Sequence, residues 1–339
     1  MKILTLGYFG YHNGQLDGQT VKTRNVYELL EQHIGGTKYF DTQRFKYNKL
    51  SIFAMLYQFC KADKVIYVAA RGNLKYIFPL LYILSKIFKV EISYVQIGGW
   101  LQEYLKTKPM HVYMLKHIKN VFAELPLTKK VLEEEFHLTN VSFLSNFRNT
   151  KFKPNITQPS APLKCVFFAR IMKLKGVDMI FDLAEYICQN KLNITIDFYG
   201  QINNEDEAYF NTNIAKYNFC NYKGALQPSE VNSTLQNYDV LILPTHFLKG
   251  EGFPGSILDA YISGIPVIVS NFMHAHDFVE EGLSGYIIED YDKEALIDNV
   301  TLLANNPDKL YEMKQYAAKK SHEYSADIAW NTIWEKAIR

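Results

Sequence analysis

At 339 residues the chain exceeds one ordinary domain, and 48% apolar against 21% charged residues suits two buried cores and excludes intrinsic disorder. The net charge is only +2, yet residues 1–150 hold 20 Lys/Arg against 11 Asp/Glu, so the positive excess lies in the first half. That half carries no recognised nucleic-acid-reading module, so its charge suits an anionic leaflet, an anionic substrate or plain solubility, and no nucleic-acid partner is expected.

The opening MKILTLGYFG reads as a strand over residues 2–8, with no signal-cleavage pattern. A Gly-rich stretch, GYFGYHNGQLDGQT, leads to a helix over 21–30. Further strands are predicted at 64–69, 91–96, 120–123 and 140–144 from short β-branched and aromatic runs. The most lipophilic stretch, 76–88, carries Pro79 and Lys86 and falls below the roughly 20 residues that cross a bilayer. Residues 151–163, with Pro154, Pro159 and Pro162, read as a linker. The pattern then restarts, with strands at 164–169, 193–199, 221–224, 239–244, 266–270 and 286–289.

Strands alternating with helical segments predict α/β architecture with parallel sheets, in two units with a cleft between them. The boundaries are a first domain over 1–150, the linker 151–163, a second domain over 164–322 and a terminal segment over 323–339. In that last segment Ser325 can cap a helix over 326–338. Ile328, Trp330, Ile333, Trp334 and Ala337 give it an apolar face, so docking is expected, with the first domain as its candidate seat. Cys60, Cys165, Cys188 and Cys220 show no CxxC spacing, which reads as a reducing cytosol without disulfides or zinc.

The most informative segment is PTHFLKGEGFPGSILDAYISGIPVIVS, residues 244–270. A strand ends at Pro244, a Gly-rich loop follows, and a helix begins near Ser256 and stops at Gly264. Such a loop offers unpaired N–H groups and a positive dipole end to anions or hydroxyls. Glu251 and Asp259 add two acceptors that can face one pocket. The spacing Glu251-x7-Asp259, enclosing Gly252, Phe253, Pro254, Gly255 and Ser256, resembles the EX7E motif of retaining family-four glycosyltransferases. The resemblance implies a GT-B fold of two Rossmann-like domains facing across a cleft. It implies Glu251 at the donor sugar and Asp259 at the ribose, with Asp standing where the family usually has Glu.

FFARIMKLKGVDMI, residues 167–180, is similar to the family's pattern of strand end, Arg, four residues, Lys-Gly. Arg170 leaves a strand and Lys175 precedes a helix, so both cations can converge on the crevice at the carboxyl ends of the strands. There a diphosphate would receive charge-assisted hydrogen bonds from a planar guanidinium and a compact ammonium. The Gly-rich first loop resembles the family's phosphate-approaching loop, with Gly18, Gln19 and Thr20 as donor-binding candidates. The first loop carries no GxGxxG, which argues against a dinucleotide enzyme.

SYVQIGGWLQEYL resembles a subgroup of bacterial surface-polysaccharide assembly, and makes Gly98, Gly99 and Trp100 cleft or acceptor candidates; packing beneath a loop is the equal alternative for Trp100. Relatives carry a His nearby. None is present here, His111 lies farther on, and no catalytic His is assigned. Asn146 is a further cleft candidate, with cap or turn duty as its alternative. His274 and His276 lack further ligands for a metal, so no metal is expected. Asp290-Tyr291-Asp292 and Glu205-Asp206-Glu207 read as helix lead-ins.

The resemblance implies metal-independent, retaining transfer of a sugar from a nucleotide sugar, UDP-sugar favoured over GDP-sugar, to a hydroxyl of a glycan or lipid-linked oligosaccharide. No other cofactor is implied. The implied setting is bacterial polysaccharide or capsule biosynthesis, at a cytoplasmic location with peripheral contact to the inner membrane face. The rivals are a GT-B-fold sugar-nucleotide 2-epimerase and a non-catalytic partner subunit of the same fold.

Overall fold

A computed structural model describes residues 1–246 and 252–339. The chain divides into unit 1, Met1–Thr150 with Tyr324–Arg339, and unit 2, Lys151–Glu323. Unit 1 contains β1 (Ile3–Gly7), β2 (Lys38–Asp41), β3 (Lys64–Ala69), β4 (Glu91–Gln96), β5 (Asn120–Ala123) and β6 (Val141–Phe143). They form one parallel sheet in the order β2-β1-β3-β4-β5-β6. Its helices are α1 (Gly18–Ile34), α2 (Arg44–Tyr47), α3 (Ser51–Cys60), α4 (Arg71–Tyr76), α5 (Phe78–Phe88), α6 (Leu101–Leu105), α7 (Pro109–Lys116) and α8 (Pro126–Glu134).

Both faces of this sheet are covered, which is why its strands read as continuous apolar runs. Val65, Tyr67 and Ala69 of β3 enter one cluster with Met55 and Phe59 of α3, Leu81 of α5 and Met114 of α7. Ile66 and Val68, pointing the other way, join Val26 and Leu29 of α1.

Unit 2 holds β7 (Leu163–Phe168), β8 (Ile194–Tyr199), β9 (Cys220–Tyr222), β10 (Val240–Leu243), β11 (Val267–Ser270) and β12 (Gly285–Ile288). They form a second parallel sheet in the order β12-β11-β10-β7-β8-β9. Its helices are α9 (Val177–Asn190), α10 (Glu207–Ile214), α11 (Val231–Leu235), α12 (Gly255–Ile262), α13 (Ala275–Phe278), α14 (Lys293–Asn305) and α15 (Pro307–Lys320). The α/β class with parallel sheets therefore holds.

Residues 151–162 carry no helix or strand and lie along unit 2. The Asn155 N–H donates to Gln236, the Gln158 amide donates to Asp308, and Ile156 occupies the space beside Gly264.

The last helix, α16 (Ala326–Ile333), starts at Ser325, whose hydroxyl accepts from the Ile328 N–H. It packs on α1 in unit 1. Ala329 and Ile333 bury against Val26 and Leu29, and Trp330 stacks on His33 at 4.1 Å. A π-helical turn, Trp334–Ile338, continues it and buries Ala337 and Ile338 in the same cluster.

Two local expectations need correction. Strand β2 was not among the predicted strands; it is a four-residue edge strand with its first two residues exposed, so it carries no apolar run. Helix α1 begins at Gly18 rather than 21, because Asp17 and Thr20 form a reciprocal capping box.

Candidate functional site

In unit 2 the chain leaves β7 towards β8 and β9 on one side and reaches β10, β11 and β12 on the other. The carboxyl ends of β7 and β10 therefore flank the switch point where α/β sheets bind ligands. Arg170 lies just beyond β7 and is exposed. A 3-10 turn, Lys173–Lys175, then delivers Lys175, half-buried, to the start of α9. Pro244, Thr245 and His246 leave β10 beside it. The His246 N–H donates to the Leu174 carbonyl at 3.0 Å, and the Thr245 hydroxyl donates to the same oxygen at 3.1 Å. The Arg170–Lys175 segment and the residues that follow β10 are thus joined at the carboxyl end of the sheet, between its two central strands.

His246 was not singled out in the sequence. Its Nδ1 lies 2.6 Å from Asp290 Oδ1, its Nε2 lies 3.0 Å from Asp178 Oδ1, and its ring stacks on Tyr291 at 3.9 Å. Carboxylates only accept, so the ring makes both bonds only when both nitrogens carry protons. This clamp ties the loop start to α9 and to the turn after β12. Asp290 is therefore more than a helix lead-in; Asp292 does serve as one, accepting from the Ala295 N–H at the start of α14.

Glu251 lies outside the described residues. Of its companions, Gly252, Phe253 and Pro254 are buried, and Gly255 and Ser256 form the first turn of α12. The Phe253 ring stacks on Phe278 at 3.9 Å and 5°, which ties the residues leading into α12 to α13. Asp259 is buried in α12, one turn beyond Gly255, and its carbonyl accepts from Asn232 and from the Ser263 hydroxyl.

In unit 1 the first-loop candidates are not in a loop. Gly18, Gln19 and Thr20 make up the first turn of α1, and the Thr20 hydroxyl closes the capping box with Asp17. The loop itself is held by Asp41, which accepts from the Phe9 and Tyr11 N–H groups, and by Arg24, which donates to the Phe9 and Gln15 carbonyls.

Gly98 and Asn146 do come together, on a residue the sequence reading passed over. Glu124, just past β5, accepts from the Gly98 N–H at 2.9 Å and from the Asn146 amide at 3.2 Å. It also pairs with Lys22 of α1 at 2.9 Å, both side chains being almost fully buried. Burial pushes the Lys22 ammonium below its ordinary value, with Glu124 opposing that shift. Gly99 is buried in the following turn. Trp100 donates to the Ile97 carbonyl and packs edge-on against Tyr104.

His111 is buried against the Tyr104 hydroxyl and the Leu74 carbonyl. His274 is buried at the start of α13 and His276 is exposed; no cluster of metal-binding type occurs among the described residues. Asp206 precedes α10 and accepts from the Lys173 N–H, another tie onto the turn bearing Lys175. A cavity of about 260 Å³ in unit 2, bordered by Lys164, Asp239 and Lys314, lies at the opposite, amino-terminal ends of β7 and β10.

The family profile described as "Glycosyl transferases group 1" matches residues 148–320, which contain all of this unit-2 constellation. A capsular polysaccharide biosynthesis glycosyltransferase, CapM of Staphylococcus aureus, is 25% identical over 62% of this chain and 50% of its own length. A poly(ribitol-phosphate) alpha-N-acetylglucosaminyltransferase of the same species is 22% identical over 59% of this chain and 40% of its own. The chain thus spans about half the length, or less, of these curated relatives. HepE of Anabaena, solved with UDP, has the same fold at a TM-score of 0.72 and 16% identity, covering 99% of both chains. With the profile spanning half of the chain, this protein belongs to the group 1 glycosyl transferases.

Proposed function

We propose that this chain is a retaining, metal-independent glycosyltransferase. It moves a sugar from a nucleotide donor to a hydroxyl of a glycan or lipid-linked acceptor in bacterial polysaccharide biosynthesis. The observation that carries this reading is the joining of the Arg170–Lys175 segment to the Pro244–His246 segment at the β7/β10 switch point. A UDP-sugar is favoured over a GDP-sugar, supported by the UDP present in the HepE structure.

In this reading Arg170 and Lys175 take up the charge of the departing diphosphate, the guanidinium giving direction and the ammonium a compact charge. Glu251 orients the sugar and Asp259 holds the ribose hydroxyls. Gly252, Phe253, Pro254, Gly255 and Ser256 line the donor through backbone groups, and α12 turns its positive end to it. Gly18, Gln19 and Thr20 belong to the donor side of unit 1, and Gly98, Gly99, Trp100 and Asn146 to the acceptor side. The protein's part is orientation and electrostatic stabilisation of the leaving group. The basic first half rests on the membrane face that carries a lipid-linked acceptor.

The test is a thermal-shift panel of UDP- and GDP-sugars, followed by transfer assays on Arg170→Ala and Lys175→Ala. A UDP-sugar should raise the melting temperature, and each variant should lose about 100-fold in turnover while its unliganded melting temperature barely moves. Full turnover in both variants would sink the assignment of the leaving-group site.

A further inference from the structure

Helices α3, α5 and α7 lie side by side over one face of the unit-1 sheet, with α5 between the other two. Each buries one stripe in the core: Met55 and Phe59, then Phe78 and Leu81, then Met114 and Leu115. Each also presents a second apolar stripe to solvent. On α3 it is Phe53 and Tyr57, 66% and 62% exposed; on α5 it is Ile83 and Ile87, 57% and 65%; on α7 it is Met110 and Tyr113, 67% and 53%. These pairs recur at three- or four-residue spacing, so each marks one side of its helix. Apolar side chains clustered on three adjacent helices differ from the scattered ones normal on a surface, and mark a place where something docks.

The charge around this face is one-sided. Residues 44–119 contain 13 Lys/Arg and three Asp/Glu, and none of the three acids is on α2, α3, α4, α5 or α7. All three are engaged: Asp63 with the Lys2 N–H, Glu91 with Lys64, and Glu103 with Lys106. Beside the face is a cavity of about 420 Å³ lined by Arg71, Lys75, Tyr76, Tyr104, Thr107 and Lys108. No carboxylate partners its three cations among the described residues. Arg71 lies over the Tyr104 ring at 5.7 Å and Lys75 over the Tyr76 ring at 4.6 Å. Lys61 and Lys86 similarly cover Tyr57 and Tyr82.

We infer that the outer face of α3, α5 and α7 docks on an anionic phospholipid bilayer, with the Arg71–Lys75–Lys108 cavity seating lipid phosphate. Apolar stripes inserted at headgroup depth, ringed by Lys and Tyr, match an interfacial surface. A protein partner fits less well, since interface cores are depleted in Lys. No helix among the described residues is long and apolar enough to cross a membrane, so the contact lies in the interface plane. This deepens the membrane contact proposed above and rests on it for the identity of the occupant; it does not depend on the donor site.

The experiment is flotation of the full chain with vesicles of phosphatidylcholine alone or with about 30 mol% phosphatidylglycerol. Two triple variants are compared, Ile83→Gln/Ile87→Gln/Met110→Gln and Arg71→Glu/Lys75→Glu/Lys108→Glu, with melting curves as the control for folding. Wild type should float with the anionic vesicles only. The charge variant should lose about 100-fold in partitioning and the apolar variant about 10-fold or more. Failure of wild type to float with either vesicle would overturn the membrane reading itself. Flotation of both variants at the wild-type level would overturn this face alone. A wild-type dimer that the apolar variant renders monomeric would assign the face to a second copy instead.

Discussion

An ideal Cβ on Gly176 would lie 1.9 Å from the carbonyl oxygen of Pro244, so the turn after Lys175 touches the end of β10 backbone to backbone. Gly176 also has φ +83°, in the left-handed region. Two costs therefore fall on Gly176→Ala, the conformation and the collision. Gly224 provides the comparison, with φ +81° and no atom within 4 Å of its added Cβ. Gly224→Ala should cost about 1 kcal/mol, and Gly176→Ala about 2–4 kcal/mol. Urea denaturation of both variants checks this; equal losses would mean that the contact with Pro244 relaxes freely. Gly176→Ala should also weaken UDP binding, because it displaces Lys175 from the loop start.

Lys22 and Glu124 form a buried pair whose two members are not equivalent. Glu124 also accepts from Gly98 and Asn146, whereas Glu124 is the only acceptor for the Lys22 ammonium among the described residues. Glu124→Ala should cost about 3–5 kcal/mol by stranding a buried cation. Lys22→Met keeps two donors on the carboxylate and should cost clearly less. Denaturant midpoints of the two variants give the order, and the reverse order would count against this account.

The uneven legibility of the sequence follows from which interactions are local. Strands β3, β4 and β5 sit in the sheet interior with both faces covered, so burial writes itself into runs such as KVIYVA, and their bounds read directly. β2 is an edge strand reached through Gly35 and Gly36, both at positive φ, and nothing in KYFD marks it. The α1 start was obscured because its capping box closes on Thr20 instead of Glu or Gln. Among the candidate site residues, Arg170, Lys175 and Asp259 stood out because each lies in a short segment that resembles a family motif. Lys22 and Glu124 are 102 positions apart, and His246 meets partners 68 and 44 positions away. A lone His or Glu in a loop carries no periodic signal, so only the folded topology brings such pairs together.

Acid should weaken unit 1 through His111. Burial beside Tyr104 pushes this imidazole below its ordinary value of 6.5; the Leu74 and Lys75 carbonyls oppose the shift and the Lys108 charge adds to it. The unfolded chain therefore takes up the proton first. Stability is complete above the ordinary value and falls as pH drops from there towards the lower folded value. Melting temperatures measured from about pH 7.5 down to about pH 5 should fall more steeply for wild type than for His111→Gln. Parallel curves would remove His111 as the cause.

His246 is clamped between Asp178, Asp290 and the Tyr291 ring. The two carboxylates hold opposite edges of one ring, and Tyr291 covers its face, so the orientation of the residue leading into the Gly-rich loop is set from three sides. His246 is 6% exposed, whereas Asp178 and Asp290 are 29% and 27% exposed, so each carboxylate bond is only partly screened. Asp290→Asn and Asp178→Asn should each cost about 1–2 kcal/mol. Because both bonds act on one ring, the double variant should depart from the sum of the singles. If the clamp positions the loop for the donor, His246→Ala should weaken UDP binding by about 10-fold or more, beyond its effect on stability. Calorimetry with UDP at a temperature where every variant is folded separates these effects. Unchanged affinity in His246→Ala would reduce the clamp to a structural tie between α9 and the turn after β12.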